Sequence, residues 1–124
     1  MNRRRSLAAL CGGALAVAAC RDEPVDRRRR VPLGDLAVGE RREVENGEDP
    51  FELLRTESGV EARSLVCPHY GCRVAWVEAR RQYACPCHDG LFDADGLPVA
   101  GPPTRPLRVL RAVVEGDAAL VGEP

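Results

Sequence analysis

Two short stretches, Cys67-Pro68-His69-Tyr70-Gly71-Cys72 and Cys85-Pro86-Cys87-His88-Asp89-Gly90, constrain this chain more than anything else in it. Each offers one Cys and one His at metal-ligand spacing, and each carries a second Cys. Fifteen residues lie between His69 and Cys85, room for a strand, a turn and a strand that bring the second stretch back to face the first. Such a pattern fits a stapled pair of loops closing on a buried inorganic centre. Structural zinc sites favour paired Cys about two to four residues apart and paired His about three to five apart, whereas each stretch here mixes the two ligand types. A mononuclear zinc site, or two ordinary disulfides flanked by surface histidines, are the plainer alternatives.

A chain of 124 residues with 4% aromatic content and a single Trp can bury only a small core. Cores of that size commonly need a metal or a disulfide as a staple. The formal net charge of −1 leaves no basic footprint, so nucleic acid is excluded as a partner.

The first residues read as an export signal. Arg3, Arg4 and Arg5 precede an apolar run over 7–19, too short to span a bilayer and right for the core of a signal peptide. The run ends in Val17-Ala18-Ala19-Cys20, which resembles a bacterial lipobox, with cleavage before Cys20 and lipid attached to it. The arginines ahead of Ser6-Leu7 also resemble a twin-arginine signal, which exports folded, cofactor-loaded proteins. Residues 1–19 are thus expected to be signal, 20–30 a lipid-anchored tether, and 31–124 the domain. Losing 1–19 removes three Arg and no acid, which moves the formal charge from −1 to −4. Cys11 leaves with the signal, so four Cys remain beyond Cys20, all in the two stretches. Outside the cytoplasm a disulfide among them can persist.

From residue 31 the chain alternates short apolar segments with turn residues. Strands are expected over 31–36, 41–44, 51–56, 60–66, 73–78, 81–84, 91–93, 98–99, 107–114 and 118–121. Hairpin turns fall at Ala79-Arg80 and at Glu115-Gly116-Asp117, and Asp93 and Asp95 read as turn residues. No window keeps a helical stripe, and 12 Gly with 10 Pro discourage helices further. The expected fold class is all-β, small antiparallel sheets with a cluster-binding subdomain, about 65–104, formed by the two loops.

Two thiolates and two imidazoles suit a binuclear iron–sulfur centre in which one iron takes the thiolates and the other the imidazoles. Over 31–124 the chain resembles the Rieske [2Fe–2S] proteins, specifically the disulfide-containing branch of quinol-oxidising cytochrome complexes and arsenite oxidase small subunits. The resemblance is carried by both stretches, Trp76 and Tyr83 between them, Phe92-Asp93 with Gly96, and Gly101-Pro102-Pro103 followed by Pro106-Leu107. It implies one [2Fe–2S] cluster, with Cys67 and Cys85 on one iron and His69 and His88 on the other. It also implies a Cys72–Cys87 disulfide between the loops, and Gly101, Pro102 and Pro103 as a third loop covering the cluster.

The imidazole-bound iron carries less negative charge than in an all-Cys cluster, so the family works at higher potential, roughly −150 to +300 mV. The outer nitrogen of each imidazole can hold or lose a proton, so a quinol, which gives up both electron and proton, is a natural donor. The resemblance therefore implies a one-electron carrier outside the cytoplasm, tethered to the outer face of the membrane. Its partner is a cytochrome b-type or molybdenum-enzyme subunit, and its acceptor is a cytochrome c-like protein. No nucleophile, base or substrate pocket marks it as a catalyst by itself.

Three positions depart from the respiratory pattern, in which Gly-Ser-x-Tyr follows the second loop's His. Here Asp89 stands for the Gly, Gly90 for the Ser and Phe92 for the Tyr, so two hydroxyls that bond cluster sulfurs are missing. Loss of those bonds, and a nearby carboxylate, both disfavour the more negative reduced cluster. A lower potential than in ubiquinol-type relatives is expected, and Gly90→Ser is expected to raise it. Tyr70 occupies the tip of the first loop, where respiratory members commonly carry Leu.

Overall fold

A computed structural model describes residues 28–103 and 105–123. The signal, Cys20 and most of the tether lie outside the described residues. Within them are ten strands and no helix: β1 Arg29–Pro32, β2 Arg41–Val44, β3 Phe51–Thr56, β4 Gly59–Ser64, β5 Ala75–Val77, β6 Gln82–Cys85, β7 Gly90–Phe92, β8 Pro98–Ala100, β9 Val109–Glu115 and β10 Ala118–Gly122. They form two antiparallel sheets, one in the order β1-β10-β9-β4-β3-β2 and one in the order β5-β6-β7-β8. The all-β expectation holds. Strands β2 and β3 match the sequence reading, and the others shift by one to several residues at an end. Arg29 and Arg30, read from sequence as the end of a tether, open β1 and pair with Val121 and Leu120 of β10.

The larger sheet is a base that curls on itself. Val31, Val44, Phe51, Leu53, Ala62, Ala119 and Val121 point to one side and make its core with Leu33 and Leu36. The curl brings the two edge strands close, where the Arg42 guanidinium donates to the carbonyls of Pro32 at 2.9 Å and Leu33 at 3.3 Å. Strand alternation then sends Arg41 and Glu43 of β2, Glu52 of β3 and Arg63 of β4 to the other side. Register places Glu52 opposite both Glu43 and Arg63.

That charged side is not solvated. Glu52 is only 2% exposed, because the smaller sheet packs over it. The core of that second sheet is Leu65, Cys67, Val74, Tyr83, Cys85, Phe92 and Leu107, flanked by Cys72 and Trp76. Tyr83 crosses the seam, its hydroxyl donating to Glu52 at 2.7 Å and accepting from Arg41 at 2.9 Å and Arg63 at 3.2 Å. Arg41 also pairs with Glu52 and lies 3.6 Å over the Trp76 ring. A buried carboxylate is thereby paired and hydrogen-bonded, the condition under which a charge can be buried.

Candidate metal centre

The first loop is closed at its base by a bridge between Val66 and Arg73. Inside it the Cys67 amide donates to the Cys72 carbonyl at 2.7 Å, and the Gly71 amide donates to the Cys67 carbonyl at 2.9 Å. Gly71 takes φ +73°, in the left-handed region that makes such a tight return possible. The second loop is the turn between β6 and β7, closed by pairing of Cys85 with Gly90. Asp89 sits there at φ +54°, a conformation that favours glycine and that Asp tolerates better than most residues.

Disulfide-bonded Cys72 and Cys87 join the two loops, with Cα atoms 6.4 Å apart. The other two Cys of the pair of loops, Cys67 and Cys85, are free and buried at 2% and 3% exposure. Burial pushes the Cys67 thiol up from its ordinary pKa, and the backbone hydrogen bonds of His69 and Tyr70 act in the opposite direction. The His69 and His88 rings meet edge to face with centroids 5.0 Å apart. Tyr70, 71% exposed, lies against both, at 4.1 Å from His69 and 5.0 Å from His88.

One atom shows what the arrangement is built for. His69 Nδ1 is buried and has no hydrogen-bond partner among the described residues. A buried polar atom left without a partner costs free energy, which a metal bond removes. An orphaned imidazole nitrogen, a second imidazole beside it and two free buried thiols form a donor set that fits a mixed Cys and His iron–sulfur centre and its two differently ligated irons.

A third segment packs against both loops. Gly101 at φ +82° runs so close to the second loop that a Cβ there would stand 2.8 Å from the Gly90 Cα. A Cβ on Gly90 would in turn meet the Pro103 ring at 2.9 Å. Pro102 and Pro103 line a recess with Pro68, His69 and Arg105, and Arg105 donates to the Pro68 carbonyl at 3.0 Å. Phe92 is fully buried in the core beneath, where it offers no hydroxyl. Asp93 accepts from the amides of Asp95 and Leu97, both at 2.9 Å, as a turn residue does.

Sequence reasoning missed Arg41, Glu52 and Arg63, the charged seam under Tyr83. Their alternation was visible, yet nothing in the sequence says that a second sheet covers that face.

The comparisons agree on one family. The family model described as "Rieske [2Fe-2S] domain" matches residues 29–111. The cytochrome b6-f complex iron-sulfur subunit of Chlorobaculum thiosulfatiphilum is 34% identical over 104 residues, which cover 77% of this chain and 58% of that protein. The carotenoid phi-ring synthase of Chlorobaculum tepidum is 46% identical over 96 residues, 77% of this chain but 14% of that protein. This chain therefore spans a little over half of the first relative and a small part of the second. Among solved structures, the cyanobacterial plasma membrane Rieske protein of Synechocystis superposes with a TM-score of 0.60 at 30% identity, covering 74% of this chain and 95% of that one.

Proposed function

The chain belongs to the Rieske [2Fe–2S] family, an electron-transfer protein with one such cluster, and from that premise we propose which residues hold it and what it serves. Cys67 and Cys85 hold one iron, and His69, through Nδ1, and His88 hold the other. The observation that carries this reading is the buried, unpartnered Nδ1 of His69 beside two free buried thiols. When bound, the cluster supplies a one-electron couple within the family range of roughly −150 to +300 mV.

The chain's own residues decide how that couple is used. His88 is exposed and His69 half-buried, the exposed Tyr70 ring lies against both, and each imidazole keeps an outer nitrogen not needed for iron. Those nitrogens hold or release a proton as charge on the centre changes, which matches a donor that gives up an electron and a proton together. Pro103 and Leu107, both buried, keep water from the inner side. The reading is a quinol as donor, bound in a cytochrome b-type membrane complex, and a cytochrome c-like acceptor. Likeness to a cytochrome b6-f subunit supports it. The signal over 1–19 would direct export and then be cleaved, and lipid on Cys20 would hold the domain at the outer membrane face. Gly90, Phe92 and Asp89 would keep the potential below that of ubiquinol-type relatives.

A second reading has its own support. Similar sequence forms a small part of a long carotenoid phi-ring synthase, so such a domain also occurs within a much larger protein. On that reading the chain relays electrons to a partner oxidoreductase, of which an arsenite-oxidase-like molybdenum subunit is one form. Affinity purification of the full chain from membranes separates the two. A b-type haem in the eluate supports the first reading, and a large molybdenum subunit without b-type haem overturns it.

A further inference from the structure

Strand β6 carries Tyr83 and Cys85 two residues apart on one face, and both belong to the buried core that also holds Cys67. That core is dry: Leu65, Val74, Tyr83 and Phe92 are 0% exposed and Leu107 1%. At the hydroxyl end of the Tyr83 ring stand two guanidiniums and a single carboxylate. The Glu52 carboxylate pairs with Arg41 and accepts from Tyr83. Arg63 lies opposite Glu52 in register but forms no ion pair among the described residues. Its Nη1 donates to two neutral oxygens, Tyr83 Oη at 3.2 Å and the Ala94 carbonyl at 2.9 Å, and its Nε is buried without a partner. Gly96 seals the stem, since a Cβ there would stand 2.9 Å from both Cδ and Nε of Arg63.

The seam thus holds one positive charge more than it neutralises, and it abuts the core that contains both free thiols. A charge sealed away from water without a counter-ion costs free energy. We infer, on the proposed ligand set of Cys67 and Cys85, that Arg63 sets the reduction potential of the cluster. Its guanidinium stabilises, across the dry core, the extra negative charge that one electron brings.

The sign follows from charge alone. The reduced centre is more negative by one unit, so a fixed positive charge favours it and raises the potential. A unit charge acting over on the order of 10 Å at an effective dielectric constant of about 20 shifts a one-electron equilibrium about tenfold. Asp89 is exposed and acts through water, where about 1 M salt screens charges beyond roughly 3 Å. Arg63 acts through packed side chains, so salt leaves its effect in place. The seam therefore works against the lowering expected from Asp89, Gly90 and Phe92.

Protein-film voltammetry of the full iron-loaded chain tests this, with iron and sulfide counted on each sample. Arg63→Gln should lower the midpoint potential by about 59 mV, a tenfold change for one electron. Arg63→Lys, which keeps the charge, should stay within about threefold of the unaltered chain. Glu52→Gln removes the carboxylate and should raise the potential. Opposite signs from Arg63→Gln and Glu52→Gln are what a merely structural seam would not give, since loosening it by either change admits the same water. The gap between Arg63→Gln and the unaltered chain should persist at about 1 M salt. An unmoved potential in Arg63→Gln, a Lys variant as low as the Gln variant, shifts of one sign from both neutralised positions, or a gap that salt closes each overturns the inference. Should Glu52→Gln not fold, the two Arg63 variants decide alone. An unaltered chain without iron and sulfide overturns the ligand set, whereas a full cluster with an unmoved potential overturns only the role of Arg63.

Discussion

The two sheets of this protein are held together by different means. In the base, nine apolar side chains pack on one side of a curled sheet, and no described Cys lies in its core. In the smaller sheet the core has seven residues, two of them free thiols, and its loops are tied by a disulfide and a strap of Gly and Pro. The base is a fold that burial alone can stabilise. The cluster sheet has strands of three or four residues and depends on covalent and metal bonds to keep its loops in place. Between the two lies a seam of opposite charges, Arg41, Glu52 and Arg63, gathered around one hydroxyl.

The sharpest way to break this contrast is to remove the staple. Replacing both Cys72 and Cys87 by Ala should cost about 3 kcal/mol by the loop-entropy estimate for a loop of this length. Hydrogen exchange should show the loss confined to β5–β8, and uniform loss of protection across both sheets would dissolve the distinction. Next comes Gly101→Ala, whose Cβ would stand 2.8 Å from backbone that cannot yield. Overpacking and left-handed strain together should lower stability by about 2–3 kcal/mol, read as a drop in Tm and in retained iron.

Gly90→Ser tests electronics and packing at once. Its hydroxyl is expected to raise the midpoint potential in protein-film voltammetry, while its Cβ, 2.9 Å from the Pro103 ring, pushes the strap outward. The packing cost should be about 1–2 kcal/mol. An unchanged potential would mean that residue 90 does not address the cluster.

At the seam, Tyr83→Phe removes a hydroxyl that bonds three charged side chains and should cost about 1–2 kcal/mol. Burial, and then the hydrogen bond to Glu52, raise the Tyr83 pKa above its ordinary 10.0. Above that ordinary value the unfolded chain releases this proton first, so stability falls as pH rises toward the folded value. Urea melts should show that alkaline decline weakened in the Phe variant. Asp89→Gly is the smallest change. It relieves φ +54° and removes a charge beside His88, for a gain of about 0.5 kcal/mol and a higher potential.

Legibility in the sequence follows the same division. The loops could be read because Cys and His at that spacing have few uses, and β2 and β3 because their period-two pattern is bounded by Gly39, Asn46-Gly47 and Ser58-Gly59. Strand pairing of β4 with β9 is long-range and leaves no local trace. Alternation sets Glu52 on the face opposite Phe51 and Leu53, and it is silent about a second layer. Gly90 read only as a missing hydroxyl. Its other role, admitting Gly101 and Pro103 at close range, depends on a segment eleven to thirteen residues away.

Everything proposed for the loops depends on two thiolates and two imidazoles of this chain holding a binuclear iron–sulfur cluster. EPR of the dithionite-reduced full chain, with iron and acid-labile sulfide measured on the same sample, tests it most directly. A reduced-cluster signal with about two irons and two sulfides per chain is expected. That signal should be lost when His69 or His88 is replaced by Ala. A silent spectrum with stoichiometric zinc would contradict it.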